Sequence, residues 1–551
     1  MTDDISIRLV AEHDVDQVAQ LYLDVYGEDY PFREFYDTEW IKRGVFDSDI
    51  RWYVAADENG RLLGSAAVMI NVGDADDLVS EIGRLVVHPD ARGKDLGTRL
   101  VNAVGEVAEQ FGDFAFGECR TVHVGSQVIL ERAGFQPVGI EPLAYDTGDY
   151  ETAIFVCRIG ENARALRRGR PVVIPQVYEL AAMALEQCEL PVDCSVVSQP
   201  DPYPVDRNRN AYELREMQGR ERLRVLRLSR DRFLNPEVFG SFRLEHGILK
   251  LKQHDARYLV LAHSDVVVGG LGFTWDAVER KANLFEFVAT DDQSRGTLLE
   301  MAIERFEDEL DPRYLSIDVN AHATRLQQSL HLLGFAPVVY APSMVYVMGE
   351  RLDVVRMVKL RMEPSLSAWK LIEKFKAVCR AGEKNVLAAS RGHQFDDAIR
   401  RIALFKGLTD LQIGEVLECL HEASYQPGAM VFEQESSGEA LFLVLSGAIE
   451  IRINGVEPPL TVVREGQAFG ELSLLQELPR SASAQAVQAS TLLVLQPSEF
   501  DHLLARAPAT AAVILKNLAI QVCSRLRSLS EEYAIEISED ECRSRDNAGT
   551  L

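Results

Sequence analysis

Two short stretches of this 551-residue chain put cations and glycines where an anion could be held. "ARGKDLGTRL" (91–100) joins an apolar, strand-like run to a helix-like run and places Arg92, Gly93, Lys94 and Gly97 around the start of the helix. Backbone N–H groups at such a start lack intrahelical partners and sit at the positive end of the helix dipole. Glycine lets a bulky diphosphate approach those amides, and the two side-chain cations add charge. The second stretch, "FGELSLLQELPRSASA" (469–484), sets Gly470 and Glu471 shortly before Arg480 and Ser481. It offers a guanidinium for a phosphate, small residues whose amides can reach the phosphate oxygens, and a carboxylate for a sugar hydroxyl. Two groups could move protons. Glu81 lies on the strand entering the first loop, and His123 lies in "ECRTVHVGSQ" (118–127) beside Glu118, Ser126 and Gln127. A carboxylate or an imidazole can take a proton from a nucleophile. Glu81 reads equally as an exposed strand carboxylate, and His123 as a structural histidine.

The elements that position these residues come from a repeat. "RWYVAADENGRLLG" (51–64) matches "RYLVLAHSDVVVGG" (257–270), "VVHPDARGKDLGTRLV" (86–101) matches "FVATDDQSRGTLLEMA" (287–302), and "AGFQPV" (133–138) matches "LGFAPV" (333–338). Three anchors in one order, about 200 residues apart, describe a duplicated domain rather than a solenoid. Within each copy the order is helix, hairpin, strand, glycine-bearing loop, helix, strand, helix, Gly-Phe, strand. Leu96, Leu100, Val104, Val107 and Phe111 recur at helical spacing, so one face should pack on a sheet. A helix is expected after Pro175. Residues 365–403 read as helical, and Thr409 with Gln412 fits a capping box. From Tyr425 to Leu495 short alternating strands are broken by "QPG", "SSG", "LSG" and "REGQ", the rhythm of a small barrel or jelly roll. Ser498 is expected to cap a last helical region. The expected division is 1–160, a linker with a helix over 161–200, a second copy over 201–352, a helical linker over 353–399, a β domain over 400–535 and a disordered tail over 536–551.

The formal charge of −27 opposes binding to a nucleic-acid backbone, and "RALRRGR" (164–170) reads as interdomain linker rather than a basic patch. Eight cysteines without a C-x-x-C pair argue against a zinc site or a disulfide framework. No leader pattern and no apolar run near 18 residues is present, so a soluble, cytoplasmic protein is expected.

The loop at 92–97 resembles motif A of the GCN5-related N-acetyltransferase (GNAT) superfamily, which cradles the pyrophosphate of acetyl-coenzyme A. The resemblance spans roughly residues 5 to 158. It implies cofactor contacts from Arg92, Gly93, Lys94, Asp95, Leu96, Gly97 and Thr98, and pantetheine pairing by Leu85 and Val87. It also implies a general base at Glu81. Asp95 departs from the usual glycine, and Leu130 stands where many members keep an acidic tyrosine. In the second copy Gln293 and Gly296 keep two loop positions, Leu298 takes the last small-residue position, where a leucine should crowd the approach of a diphosphate, and Leu330 replaces the tyrosine. Glu286 is a candidate base there or a plain strand carboxylate. That copy reads as a degenerate, transferase-like domain that supports the first, with a second, weak acyl-CoA site as the alternative.

Residues 400 to 533 closely resemble cyclic nucleotide-binding domains of the catabolite activator and protein kinase A regulatory type. The resemblance implies that Glu471 accepts from the ribose 2′-hydroxyl and Arg480 pairs with the phosphate. Gly470, Leu472, Ser473, Ser481 and Ala482 complete the cassette. Either cAMP or cGMP fits, with cAMP favoured, and Arg525 or Arg527 could cover the base. The fold expected is therefore multidomain α/β plus a β-barrel: two GNAT-like mixed α/β domains, a helical linker and a cyclic nucleotide-binding jelly roll with flanking helices. The function expected is a bacterial, cyclic-nucleotide-regulated N-acetyltransferase that moves acetyl from acetyl-CoA to an amine, such as a protein lysine. A non-catalytic sensor or scaffold and a transferase for a small-molecule amine stand as alternatives. The sequence leaves oligomeric state open.

Overall fold

The computed structural model describes residues 5–28, 33–70, 79–146, 150–198, 200–206, 208–228, 236–240, 256–362, 369–437, 440–456, 458–470, 479–523 and 527. The chain forms two compact units, residues 1–390 and 391–551.

In the first unit, the opening half runs β1 (Ser6–Leu9), α1 (Val15–Tyr26), α2 (Thr38–Phe46), β2 (Ile50–Ala56), β3 (Leu62–Met69), β4 (Val79–Val87), α3 (Leu96–Phe111), β5 (Phe114–Arg120), α4 (Gly125–Arg132), β6 (Gln136–Asp146) and β7 (Tyr150–Ile159). Strands β1 to β4 are antiparallel neighbours, β4 and β5 are parallel, and β5, β7 and β6 continue antiparallel. The expected stripe of α3 buries Leu96, Leu100, Val104 and Val107, but Phe111 at its end is exposed beneath Arg51. The other sheet face is covered by α1 and α2 over Trp52, Val54 and Val86.

The second half repeats this order. Strands Tyr212–Glu216, Ala256–His263, Val266–Asp276 and Lys281–Ala289 are antiparallel neighbours; the last is parallel to Tyr314–Asn320, and Glu350–Leu360 and Ala336–Val347 follow. Even the irregularities recur. The register of β6 shifts at Pro137/Gly139 and Glu141/Tyr145, and that of its counterpart at Pro337/Val339 and Ala341/Val345. Leu143 and Ser343 both have positive φ. The halves join edge to edge as one sheet through Gly139 opposite Val339. A Cβ on Gly139 would lie 2.3 Å from the Val338 carbonyl oxygen, so the seam needs a residue without a side chain.

The two halves also exchange connecting segments. The helix Pro175–Gln187 packs on the strand Ala336–Val347 and on β6, and the Ile174 amide donates to Gln327 Oε1. The segment after the second half returns to the first: the Lys370 amide donates to the Thr121 carbonyl at 2.7 Å. Arg167, from the basic stretch, is buried against Asp353 and Asp193, which makes that stretch a structural staple. Strand Glu350–Leu360 occupies the first part of the expected helical linker. The helix itself spans Lys376–Arg401 after a short turn at Glu373–Phe375.

In the second unit, the expected Thr409–Gln412 capping box opens the helix Asp410–Leu417. Two four-stranded antiparallel sheets follow, one built on Leu441–Ser446 and Ser490–Leu495 and the other on Ala448–Arg452 and Ser483–Ala486, giving a jelly roll. One apolar cluster lies between the helices and the first sheet, with Ile413, Leu443, Leu495 and Leu503 buried. Another lies inside the roll, with Val444, Ile449 and Leu492 buried. The last described helices cover Pro497–Arg506 and 508–523; Pro497 at the first turn, not Ser498 as cap, starts the former. The expected tail 536–551 lies outside the described residues.

Candidate functional site

Strands β4 and β5 pair only from Val79 opposite Phe114 to Ile82 opposite Gly117, although β4 runs on to Val87 and β5 to Arg120. They part where the β3–β4 register shifts between Ser65 and Ala67, which leaves Arg84 and Leu85 opposite Ala66. Such a bulge bends one strand away from its neighbour. The result is a wedge edged by Leu85 and Val87, both half-buried. Among the described residues no strand pairs with the β5-facing edge of residues 83–87.

The wedge leads to the loop. Arg92, Gly93, Lys94 and Asp95 are exposed, while Leu96, Gly97 and Thr98 begin α3 and are buried. Asp95 has φ 56°, a left-handed conformation that aspartate accepts better than most residues and glycine accepts freely. Its side chain caps none of the α3 amides and lies 3.3 Å from Arg132 Nη1 instead, which draws its charge away from the helix start. The Thr98 hydroxyl is buried without a partner among the described residues. A Cβ on Gly97 would stand 2.5 Å from Ile129 Cδ1.

Glu81 sits on β4 at the foot of the wedge, opposite Phe116 of β5. Burial pushes its carboxyl above the usual range, and the charge of Arg84 acts against that shift. His123 follows β5 and stays partly exposed. Burial lowers its pKa first, and the positive charges of Arg120 and Arg92 lower it further, so the neutral, proton-accepting imidazole is favoured. Arg120 is held by Glu151 through bonds of 2.8 and 2.5 Å. Tyr26, at the end of α1, belongs to the same group: burial raises its hydroxyl pKa while Arg120 and Arg92 oppose the rise. Sequence reading missed Tyr26, whose spacing from Tyr22 by one helical turn reads as core packing. Leu130, where the resemblance implied a tyrosine in other proteins, is buried and offers no proton.

Gln127, a polar candidate from the sequence, is committed elsewhere. Its amide donates to the carbonyls of Arg120, His123 and Lys370 and accepts from the Ile372 amide at 3.1 Å. It clamps the segment that leads into the helix Lys376–Arg401.

The second half fills the corresponding wedge, which no described residue fills in the first. Its parallel pairing also ends early, from Lys281 opposite Tyr314 to Leu284 opposite Ile317. Here Val238–Phe239 fills the wedge, antiparallel to Asp318 and Val319, and a Cβ on Gly240 would lie 2.3 Å from Phe285 Cβ. The helix Asp292–Arg305 is capped by Asp291, whose side chain accepts from the Ser294 amide at 2.8 Å. The Tyr203 and Pro204 carbonyls lie against Gly296. Leu298, expected to crowd a ligand, faces the sheet at Gly269, much as Leu96 and Leu100 face it at Gly64. Counted from the parallel pairing, Glu286 stands at the position of Arg84, and Asn283 at that of Glu81. The Glu286 carboxylate accepts from the Tyr258 hydroxyl at 2.7 Å.

In the second unit Arg480 is 4% exposed, stacked 4.2 Å from the Phe432 ring centre. Its guanidinium donates to the Ala440 carbonyl at 2.9 Å and the Gly470 carbonyl at 3.4 Å. Gly470 has φ 76°, and any Cβ there would meet Arg480 Nη1 at 2.7 Å. Burial depresses the Arg480 pKa, and an anion at this guanidinium would relieve that cost. Ala482 is buried and Ser481 exposed nearby. Glu471, Leu472 and Ser473 lie outside the described residues, as does Arg525; Arg527 is exposed.

Among the described residues no group of three or more His, Cys, Asp or Glu side chains could hold a metal, and no helix is long and apolar enough to cross a membrane. Residues 15–135 match the Acetyltransferase (GNAT) family, and residues 422–507 match the cyclic nucleotide-binding domain. The chain is 36% identical over 145 residues to the cyclic AMP receptor protein of Thermus thermophilus, covering 26% of this chain and 65% of that protein. It is 28% identical over 115 residues to the cAMP-dependent protein kinase regulatory subunit of Pyricularia oryzae, covering 21% of this chain and 30% of that protein. A solved structure of the Thermus thermophilus catabolite activator protein matches at 35% identity and a TM-score of 0.23, covering 24% of this chain and 62% of that one. The chain thus spans less than two thirds of the length of each of these relatives.

Proposed function

From a chain that carries both a GNAT acetyltransferase domain and a C-terminal cyclic nucleotide-binding domain, we propose a cyclic-nucleotide-regulated N-acetyltransferase. The observation that carries this reading is the open wedge between β4 and β5 leading to uncapped amides, Arg92 and Lys94. A diphosphate suits the helix start, and an extended amide-bearing arm suits the unpaired edge of Leu85 and Val87. Acetyl-CoA has both parts.

In the reaction, the acceptor ammonium loses a proton to Glu81, directly or through water. The free amine attacks the thioester carbon, the C–N bond forms, and the C–S bond breaks. The departing thiolate takes a proton. His123 and Tyr26 flank the region of Arg92 and Arg120, and Tyr26, with its pKa raised by burial, arrives at neutral pH as a proton donor. Both a protein lysine and a small-molecule amine present a suitable nitrogen. The second half serves as a degenerate, transferase-like support, because its own chain fills the corresponding wedge and covers the helix start.

Arg480 holds the cyclic phosphate, with Gly470, Glu471, Leu472, Ser473, Ser481 and Ala482 around it, and cAMP is the favoured effector, in line with the names of the relatives. Regulation runs through residues 369–376, because Gln127 ties them beside His123 and the chain continues from them into the helix Lys376–Arg401. A nucleotide shifts this coupling only by binding two arrangements with different affinity. The test is release of free CoA from acetyl-CoA in the presence of amines and lysine-bearing proteins, with and without cAMP. Turnover that changes with cAMP and is lost in Glu81→Gln supports the reading; no turnover with any amine, despite acetyl-CoA binding, supports a sensor or scaffold.

A further inference from the structure

The bulge residue of β4 is an arginine that the fold does not require. Arg84 has φ 54°, and its guanidinium carbon lies 5.5 Å from the ring centres of both Trp40 and Trp52. The Tyr22 hydroxyl donates to the Arg84 carbonyl at 2.9 Å, and among the described residues the Arg84 side chain makes no hydrogen bond. Its Nε is buried without a partner among the described residues. Burial pulls its pKa down, and Glu81, Asp47 and Glu34 act against that shift through space. Burying a guanidinium with unmet donors is unfavourable unless a ligand offsets it.

The second half supplies the control. At the same register position stands Glu286, of opposite charge, buried and hydrogen-bonded to Tyr258. The bulge of that strand falls one residue earlier, at Phe285, so Glu286 is paired with Gly272 without a positive φ, and the self-satisfied side chain belongs to the half whose wedge is filled. Two indoles hold the Arg84 fork in a fixed orientation, and a planar fork with free N–H groups matches a carboxylate. Glu81, Asp47 and Glu34 act on Arg84 through space, and carboxylates at that range suit an ammonium. A zwitterion satisfies both.

We propose that Arg84 binds a carboxylate on the acceptor, so that the acetylated substrate is a small carboxylate-bearing amine of the amino-acid class. This rests on the acetyltransferase reading and adds the acceptor class to it. The carboxylate docks on Arg84, the ammonium gives its proton to Glu81, and the nitrogen takes the acetyl group as the C–S bond of the thioester breaks.

The experiment offers the full chain acetyl-CoA with each of the common amino acids and, in parallel, with the matching carboxamides. Expected is acetylation of one or more amino acids at a kcat/KM at least about 50-fold above that of the carboxamide. Arg84→Met should erase this preference mainly through KM, and Arg84→Lys should restore part of it. Quenching of tryptophan fluorescence by the preferred amino acid should disappear in Arg84→Met. Because that variant could fold poorly, acetyl-CoA affinity is measured on both variants and should stay within about twofold of the parent. Equal use of carboxamides, or a preference unchanged by either substitution, overturns the proposal while leaving the transferase reading intact. Efficient use only of amines lacking a carboxylate, such as polyamines, overturns it likewise. Failure of the parent protein to bind acetyl-CoA overturns the transferase reading itself.

Discussion

In the first half of residues 1–390 no described residue fills the wedge between β4 and β5 or caps the start of α3, whereas in the second half the chain itself covers both. The difference is not in topology, since strand order, parallel pairing and even the bulges of the last strands recur. It lies in what reaches the wedge. Residues 201–206 and 236–240 supply backbone carbonyls, a strand and the Tyr203–Glu237–Arg295 contacts that seal the second half. Asp291 then gives its helix the anion that a ligand would otherwise provide. On the proposed reading, the second half occupies with its own chain the places that an anionic, extended ligand takes in the first.

The largest expected effect separates the halves at the proton acceptor. Glu81→Gln should lower kcat by about 10²- to 10⁴-fold, the span of a general base, while Asn283→Ala should leave it unchanged. Because burial raises the Glu81 pKa, kcat/KM of the parent should climb with pH through a value above the ordinary carboxylate range, and the Gln variant should lose that limb. The stability sign is the reverse. A carboxyl whose folded pKa is raised contributes stability below its unfolded pKa that is lost as pH rises through the folded one, so Tm should vary less with pH in the variant. Equal loss of kcat in both variants would break the comparison.

Next comes the cradle. Arg92→Ala combined with Gly97→Leu should weaken acetyl-CoA binding by about 100-fold, since a charge-assisted contact is worth about 1.5 to 3 kcal/mol and the leucine must displace Ile129. Arg295→Ala in the second half should leave the affinity as it was, because Arg295 is held by Tyr203 and Glu237. Titration calorimetry reads both, with one acetyl-CoA per chain. A stoichiometry of two would contradict the sealed second half.

The smallest effect concerns the clamps. Gln127→Ala and Gln327→Ala each remove an amide that satisfies buried backbone groups, and each should cost about 1 to 3 kcal/mol of stability. Denaturant unfolding reads that loss. Of the two, Gln127→Ala should also reduce the response of turnover to cAMP, because Gln127, unlike Gln327, bonds the segment entering the helix Lys376–Arg401.

Much of this was legible in the sequence where local chemistry decides it. The loop at 92–97 lies between a strand and an amphipathic helix, and three short matches were enough to mark the duplication. In the second unit Arg480, marked from its place after Gly470, donates to the Gly470 carbonyl. What sequence reading missed depends on distant chain. Leu298 looked like the residue that spoils the second cradle, yet it packs on the sheet, and the closure comes from residues 201–206, some 90 positions earlier. A one-residue difference in loop length also moved Glu286 onto the Arg84 position, which alignment of the loops alone conceals. Arg84 and Tyr26 were invisible for a related reason. Their roles rest on which side of a bulge or helix faces the wedge, and a bulge breaks the alternation from which facing is read.

The central claim is that nucleotide binding at Arg480 alters the first half and not the second. The measurement that bears on it most directly is calorimetric titration of acetyl-CoA into the full chain, with and without saturating cAMP, repeated on Arg480→Leu. The account predicts one site whose affinity changes with cAMP in the parent and does not change in Arg480→Leu, and linkage requires acetyl-CoA to change cAMP affinity by the same factor. Acetyl-CoA binding that is identical with and without cAMP, together with turnover equally indifferent to it, would contradict the account.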